Sequence, residues 1–173
     1  MLDKNIRQRI IALIQREVVP AVGCTEPIAV ALCTARATET LGCRPEKITA
    51  LLSANILKNA MGVGIPGTGM IGLPIAIALG AIVGKSEYEL EVIKDVTPET
   101  LEEGKKYVDE KRIEIKLKSD ITEKLYIDVI CEAAGHKAEA VIAGSHTNFV
   151  YVSKDGEAFV VTGPLISRLE RSV

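Results

Sequence analysis

The feature that most limits what this chain can fold into is a change of hydrophobic period at Arg112. Before it, apolar residues recur at helical spacing. Ile6, Ile10, Leu13, Ile14 and Val18 share one face, and Ile28 to Leu41 is rich in alanine and closed by Gly42. After it, Ile113, Ile115 and Leu117 alternate with Glu114, Lys116 and Lys118, and Leu125, Ile127, Val129 and Cys131 repeat the two-residue period. Ala134-Gly135 and Asp155-Gly156 mark turns between further strands at Ala138 to Ala143, Phe149 to Val152 and Ala158 to Val161. The pattern predicts helices over 3–19, 26–41, 69–83, 87–95 and 98–109, then a β-meander from residue 112. Ile48 to Ser53 is an isolated strand candidate. Ser86 with Glu89 reads as a capping box, and Thr97-Pro98 as an N-cap with a first-turn proline. The expected class is α+β, with the N-terminal helices packed on one side of a mainly antiparallel sheet formed largely by the C-terminal half.

Composition enters where function classes are to be excluded. A chain of 173 residues without an evident linker or repeat suits a single domain, 1–173. A net charge of -2 favours neither nucleic acid nor an anionic membrane surface, and the lack of Trp argues against base-stacking platforms. The longest apolar run, Met70 to Val83, is too short to span a bilayer and contains Pro74. Cys24, Cys33, Cys43 and Cys131 show no CxxC spacing and follow no secretory signal, so the expected compartment is a reducing cytoplasm.

Three stretches carry chemistry. In Gly23-Cys24-Thr25-Glu26-Pro27 a helix is launched directly after a cysteine. A thiolate is stabilised at a helix N-terminus, which suits a nucleophile or metal ligand, whereas the bland alternative is a small core hydrophobe. In the second stretch, Asn55, Lys58 and Asn59 precede Gly62, Gly64, Gly67, Thr68 and Gly69. A cation, amide donors and accessible backbone N–H groups suit a carboxylate. The formal GxGxxG match lacks the strand directly before it and the acidic residue at the end of a following strand, so a structural glycine loop is the stronger competitor to a substrate site. The third stretch, Ser145-His146-Thr147-Asn148, sits between two strands; His146 is a candidate acid, base or anion donor, against a turn bonded to its own backbone. His136 reads as a surface hairpin residue, Cys33 as packing and Cys43 as loop.

Taken together and in order, these three motifs make the chain resemble the L-cysteine desulfidase family, related to the catalytic alpha part of iron-sulfur L-serine dehydratases, from about Glu17 to about Gly156. The resemblance implies a lyase that eliminates sulfide from L-cysteine, or water from L-serine, to give pyruvate and ammonia. It implies a [4Fe-4S] cluster held by three cysteines, with no pyridoxal phosphate, and Cys24 matches one ligand. Side-chain chemistry then suggests Lys58, Ser145 and His146 as catalytic, and Asn55, Asn59, Gly62, Gly64, Gly67, Thr68, Thr147 and Asn148 as substrate-binding. The other cluster cysteines of such enzymes lie in a C-terminal portion with no counterpart here. The expectation is therefore the N-terminal part of a longer enzyme, inactive and without its cluster when alone, whose partners are the amino acid, the missing portion and, as one oligomeric option, a second copy. The competing classes are a small-molecule binding or interaction module using the glycine loop, and a cysteine-nucleophile or nucleotide-dependent enzyme.

Overall fold

A computed structural model describes residues 25–60, 72–121 and 123–161. The expected helix over 3–19 lies outside them, as do Cys24 and the glycine-rich loop. In chain order the described elements are α1 (Thr25–Leu41), β1 (Lys47–Leu52), α2 (Ala54–Ala60), α3 (Leu73–Ile82), a 3-10 segment (Ser86–Glu91), α4 (Pro98–Asp109), β2 (Ile113–Leu117), β3 (Tyr126–Ala133), β4 (His136–Ala143), β5 (Phe149–Lys154) and β6 (Glu157–Val161).

The six strands form one sheet in the order β2-β1-β3-β4-β5-β6. All pairings are antiparallel except β1 with β2, so the α+β class expected from the period change holds. The expected meander from residue 112 needs one correction: β2 is not adjacent to β3. β1 lies between them, pairing Ile48 with Ile113 on one side and with Cys131 on the other. The reason is topological. The described elements between Leu52 and Ile113 are helical, and a crossover of this kind returns the next strand parallel to the one it left.

Side-chain alternation fixes the two faces. Ile48, Ala50 and Leu52 of β1, Ile127, Val129 and Cys131 of β3, and Ala138, Ala140 and Ile142 of β4 are buried in the main core with α1, α3 and α4. The opposite face carries a smaller cluster of Tyr126, Val141, Ala143 and Val150. The hairpins joining β3 to β4 and β5 to β6 turn on Ala134-Gly135 and Asp155-Gly156, each with two consecutive positive φ values, the geometry that matches strand twist.

α1 lies across β3 and β4. Its Cys33 thiol donates to Ala140 O at 3.1 Å, its Thr38 hydroxyl is 3.7 Å from Cys131 Sγ, and Gly42 ends it with φ 90. α3 runs parallel to α1 at very close range. A Cβ on Gly80 would come within 2.5 Å of Ala31 O, one on Gly84 within 2.8 Å of Ala35 Cβ, and Ser86 then bonds Glu39. Gly80 and Gly84 face Ala31 and Ala35 at matched four-residue spacing, so no side chain larger than a methyl separates the two helices there. α4 completes the layer, with Gly104 against Ile75 and Leu79 and the Tyr107 hydroxyl bonded to Pro45 O at 2.6 Å.

One segment differs from the periodicity. The helix expected over 87–95 is a 3-10 segment because Glu89 takes a positive φ of 52, and no Ser86–Glu89 capping box forms; both the backbone N–H and the hydroxyl of Ser86 go to the Glu39 carboxylate instead. Thr97 does cap α4, closing a reciprocal box with Thr100, and Pro98 occupies its first turn. Among the described residues, no helix is long and apolar enough to cross a membrane.

Candidate functional site

The site gathers at one end of the sheet because the elements that carry it all start or stop there. β1 leaves its last residue, Leu52, opposite Ile127, and Ser53 then bonds the start of β3, its N–H to Tyr126 O and its hydroxyl to Lys124 O. The β4–β5 connection emerges at the same level, with Gly144 N–H on Leu125 O. α1 points its N-terminus there, since its other end packs on Cys131 at the far end of β3. The parallel register of Gly80 with Ala31 and Gly84 with Ala35 brings the start of α3, Leu73, to the level of Thr25. Two helix N-termini thus face the same end, where backbone dipoles favour negative charge.

The decisive contacts join residues 121 positions apart. Thr25 Oγ1 lies 3.1 Å from His146 Nε2, and Glu26 Oε1 lies 3.7 Å from the same nitrogen. The imidazole is one-third exposed (33%), while the Glu26 side chain is only 14% exposed. The ring nitrogen is thus flanked by a hydroxyl and a carboxylate, which together hold the orientation of the imidazole.

The rest of the third motif divides its work. Asn148 holds the turn, donating its side-chain amide to Ala143 O at 2.9 Å and its backbone N–H to Ser145 O. The turn bonded to its own backbone is therefore present, held by Asn148, while the His146 side chain turns to Thr25 and Glu26. Ser145 is exposed and Thr147 half-buried. In the second motif, the residues before the glycines form a helix that periodicity did not predict, α2. Ile56 and Ala60 face the core, while Asn55, Lys58 and Asn59, at i, i+3 and i+4, share its exposed face. The predicted residues Cys24, Gly62, Gly64, Gly67 and Thr68 lie outside the described residues. Glu26 was missed from sequence, because a glutamate in a first turn needs no explanation beyond the helix dipole. His136, as expected, sits on a surface hairpin, 2.8 Å from Asp155 Oδ2.

The described cysteines do not fit an iron-sulfur cluster. Cys33 and Cys131 are buried in the core; burial first of all pushes the Cys33 thiol well up and that of Cys131 to about 12. Cys43 is exposed beyond the far end of α1. Among the described residues, no group of three or more His, Cys, Asp or Glu side chains could hold a metal ion.

Fold and site together define an α+β domain with a histidine–glutamate–threonine cluster at the strand ends. Compared with known proteins, the chain is 74% identical over 159 residues to UPF0597 protein BF3560 of Bacteroides fragilis, covering 92% of this chain and 37% of that protein. It is 60% identical over 156 residues to a UPF0597 protein of Parabacteroides distasonis, 90% of this chain and 36% of the relative. It is 43% identical over 163 residues to UPF0597 protein PBPRB0240 of Photobacterium profundum, 94% and 38% respectively. The chain thus spans less than two-fifths of the length of these curated relatives. These names correct the family resemblance drawn from the three motifs: relatives at 60–74% identity are UPF0597 proteins, not L-cysteine desulfidases or iron-sulfur serine dehydratases. No family model matches the chain, and no solved structure does.

Proposed function

We propose that this chain supplies the proton-transfer part of a lyase acting on a small amino acid with a β leaving group, L-cysteine or L-serine, within a longer cytoplasmic protein. The observation that carries the reading is His146, held at Nε2 by Thr25 and Glu26 from the other end of the sequence. A catalytic base needs a partly exposed ring, a fixed orientation and a counter-charge, and His146 has all three. The exposed face of α2 offers Lys58, Asn55 and Asn59 to the substrate carboxylate.

In the elimination, His146 takes the Cα proton, the Cα–H electron pair forms the Cα=Cβ bond, and the Cβ–S or Cβ–O pair leaves with sulfide or hydroxide. Protonation of the leaving group returns the proton that His146 took. The resulting 2-aminoacrylate tautomerises to an imine, which water hydrolyses to pyruvate and ammonia. Stabilising the departing group is assigned to the remainder of the longer protein. The free thiols of Cys33, Cys43 and Cys131 support a reducing compartment.

The test is pyruvate release from L-cysteine and L-serine by the complete protein carrying this chain. His146→Ala is expected to lower kcat by roughly 100-fold or more with a small change in KM. Undiminished turnover in that variant would overturn the role of His146. Binding of either amino acid without any turnover in the wild type would favour a binding module instead.

A further inference from the structure

We infer that Glu26 is the receptor for the substrate's ammonium group, which makes the site selective for free amino acids over carboxylic acids that lack the amine. The inference rests on the lyase reading only for the identity of the substrate. The observation behind it is separate and concerns one atom.

Glu26 Oε1 approaches His146, but Oε2 is buried and finds no hydrogen-bond partner among the described residues. A carboxylate oxygen removed from water without a donor is costly, and native structures retain such atoms where something else completes them. Another buried carboxylate, Asp128, meets its burial differently. Asp128 lies on the far sheet face beside Glu139, and desolvation first, then the Glu139 charge, raise its carboxyl to about 8, so it keeps a proton at neutral pH. Glu26 instead has the His146 imidazole beside Oε1.

What fits Oε2 is a cationic donor small enough to enter beside a one-third-exposed histidine. A primary ammonium has three N–H donors and a compact charge, whereas a guanidinium would demand a planar fork. The remaining groups at this end suit the other half of a zwitterion. Two helix N-termini and the Asn55, Lys58, Asn59 face are complementary to a carboxylate. An amino acid held by its two charged ends presents Cα between them, and Oε1 of the same Glu26 keeps the base next to the ammonium-bearing carbon.

The experiment measures binding to the complete protein of two unreactive probes, L-alanine and propionate, which differ in the ammonium group. Titration calorimetry reads both without any need for turnover. Wild type is expected to prefer L-alanine by roughly 30-fold or more, the range of a buried charge-assisted pair. Glu26→Gln, close to isosteric, should reduce that preference to under about 5-fold by weakening L-alanine binding alone. Glu26→Asp should restore part of it, and His146→Ala should leave it intact. Equal binding of the two probes by wild type, or an unchanged preference in Glu26→Gln, would overturn the inference while pyruvate release from L-cysteine or L-serine could still stand. Conversely, a Glu26-dependent preference in a protein that releases no pyruvate would sustain the inference and remove the lyase.

Discussion

At the scale of single residues, burial decides which polar groups stay ordinary and which change. Asp128 is the clearest case. Its side chain is enclosed on the outer sheet face, Oδ1 has no hydrogen-bond partner, and its carboxyl is raised from 3.8 to about 8 by desolvation, with Glu139 adding to the rise and Lys118 and Lys137 opposing it. A raised folded-state value means that the native protein holds a proton the unfolded chain has lost. Stability from this group is full below about 4, falls as pH rises, and levels off above about 8. Asp128→Asn should therefore match wild type in urea unfolding near pH 4 and exceed it at pH 8, by roughly 1–3 kcal/mol once relaxation around the carboxylate is allowed for. An advantage that does not grow with pH would show that Asp128 is ionised in the native state. None of this was legible in the sequence, where Asp128 is one polar residue in an alternating run. Its burial comes from the neighbours that pairing puts around it, Leu51 and Val141.

At the scale of elements, local chemistry and tertiary contact compete, and the outcome differs from helix to helix. α4 begins and ends where Thr97-Pro98 and helical periodicity place it, because capping is a local interaction. The segment after Ser86 does not, because Glu39 of α1 captures the Ser86 hydroxyl and N–H. The contact between α1 and α3 is the most exacting in the fold. Gly80 sits 2.5 Å, measured from the Cβ it lacks, from the backbone oxygen of Ala31. Gly80→Ala gains helix propensity of about 1 kcal/mol but must push two backbones apart, so a net loss of roughly 2–4 kcal/mol is expected in thermal or urea unfolding. A stabilised Gly80→Ala protein would mean that the two helices do not meet at Gly80.

For the whole molecule, the proposed function needs Thr25 and Glu26, the exposed face of α2 and His146 at one end of a sheet. Lys58 tests that arrival, since α2 follows directly from β1. Lys58→Ala in the complete protein should raise KM for L-cysteine or L-serine roughly 10-fold with kcat little changed, as loss of a carboxylate contact felt equally in ground and transition states. A kcat loss without a KM change would place Lys58 in the chemistry rather than in binding. The α+β class, the extent of α1 and α4 and the two hairpin turns were all decided by the sequence itself, because periodicity, caps and turn residues act over a few positions. Only the tertiary structure placed β1 inside the later strands, turned the residues before the glycines into α2, and paired Glu26 with His146. Those outcomes depend on which distant surfaces can bury one another, and a residue 121 positions away leaves no trace in the local pattern that a reader of the sequence can use.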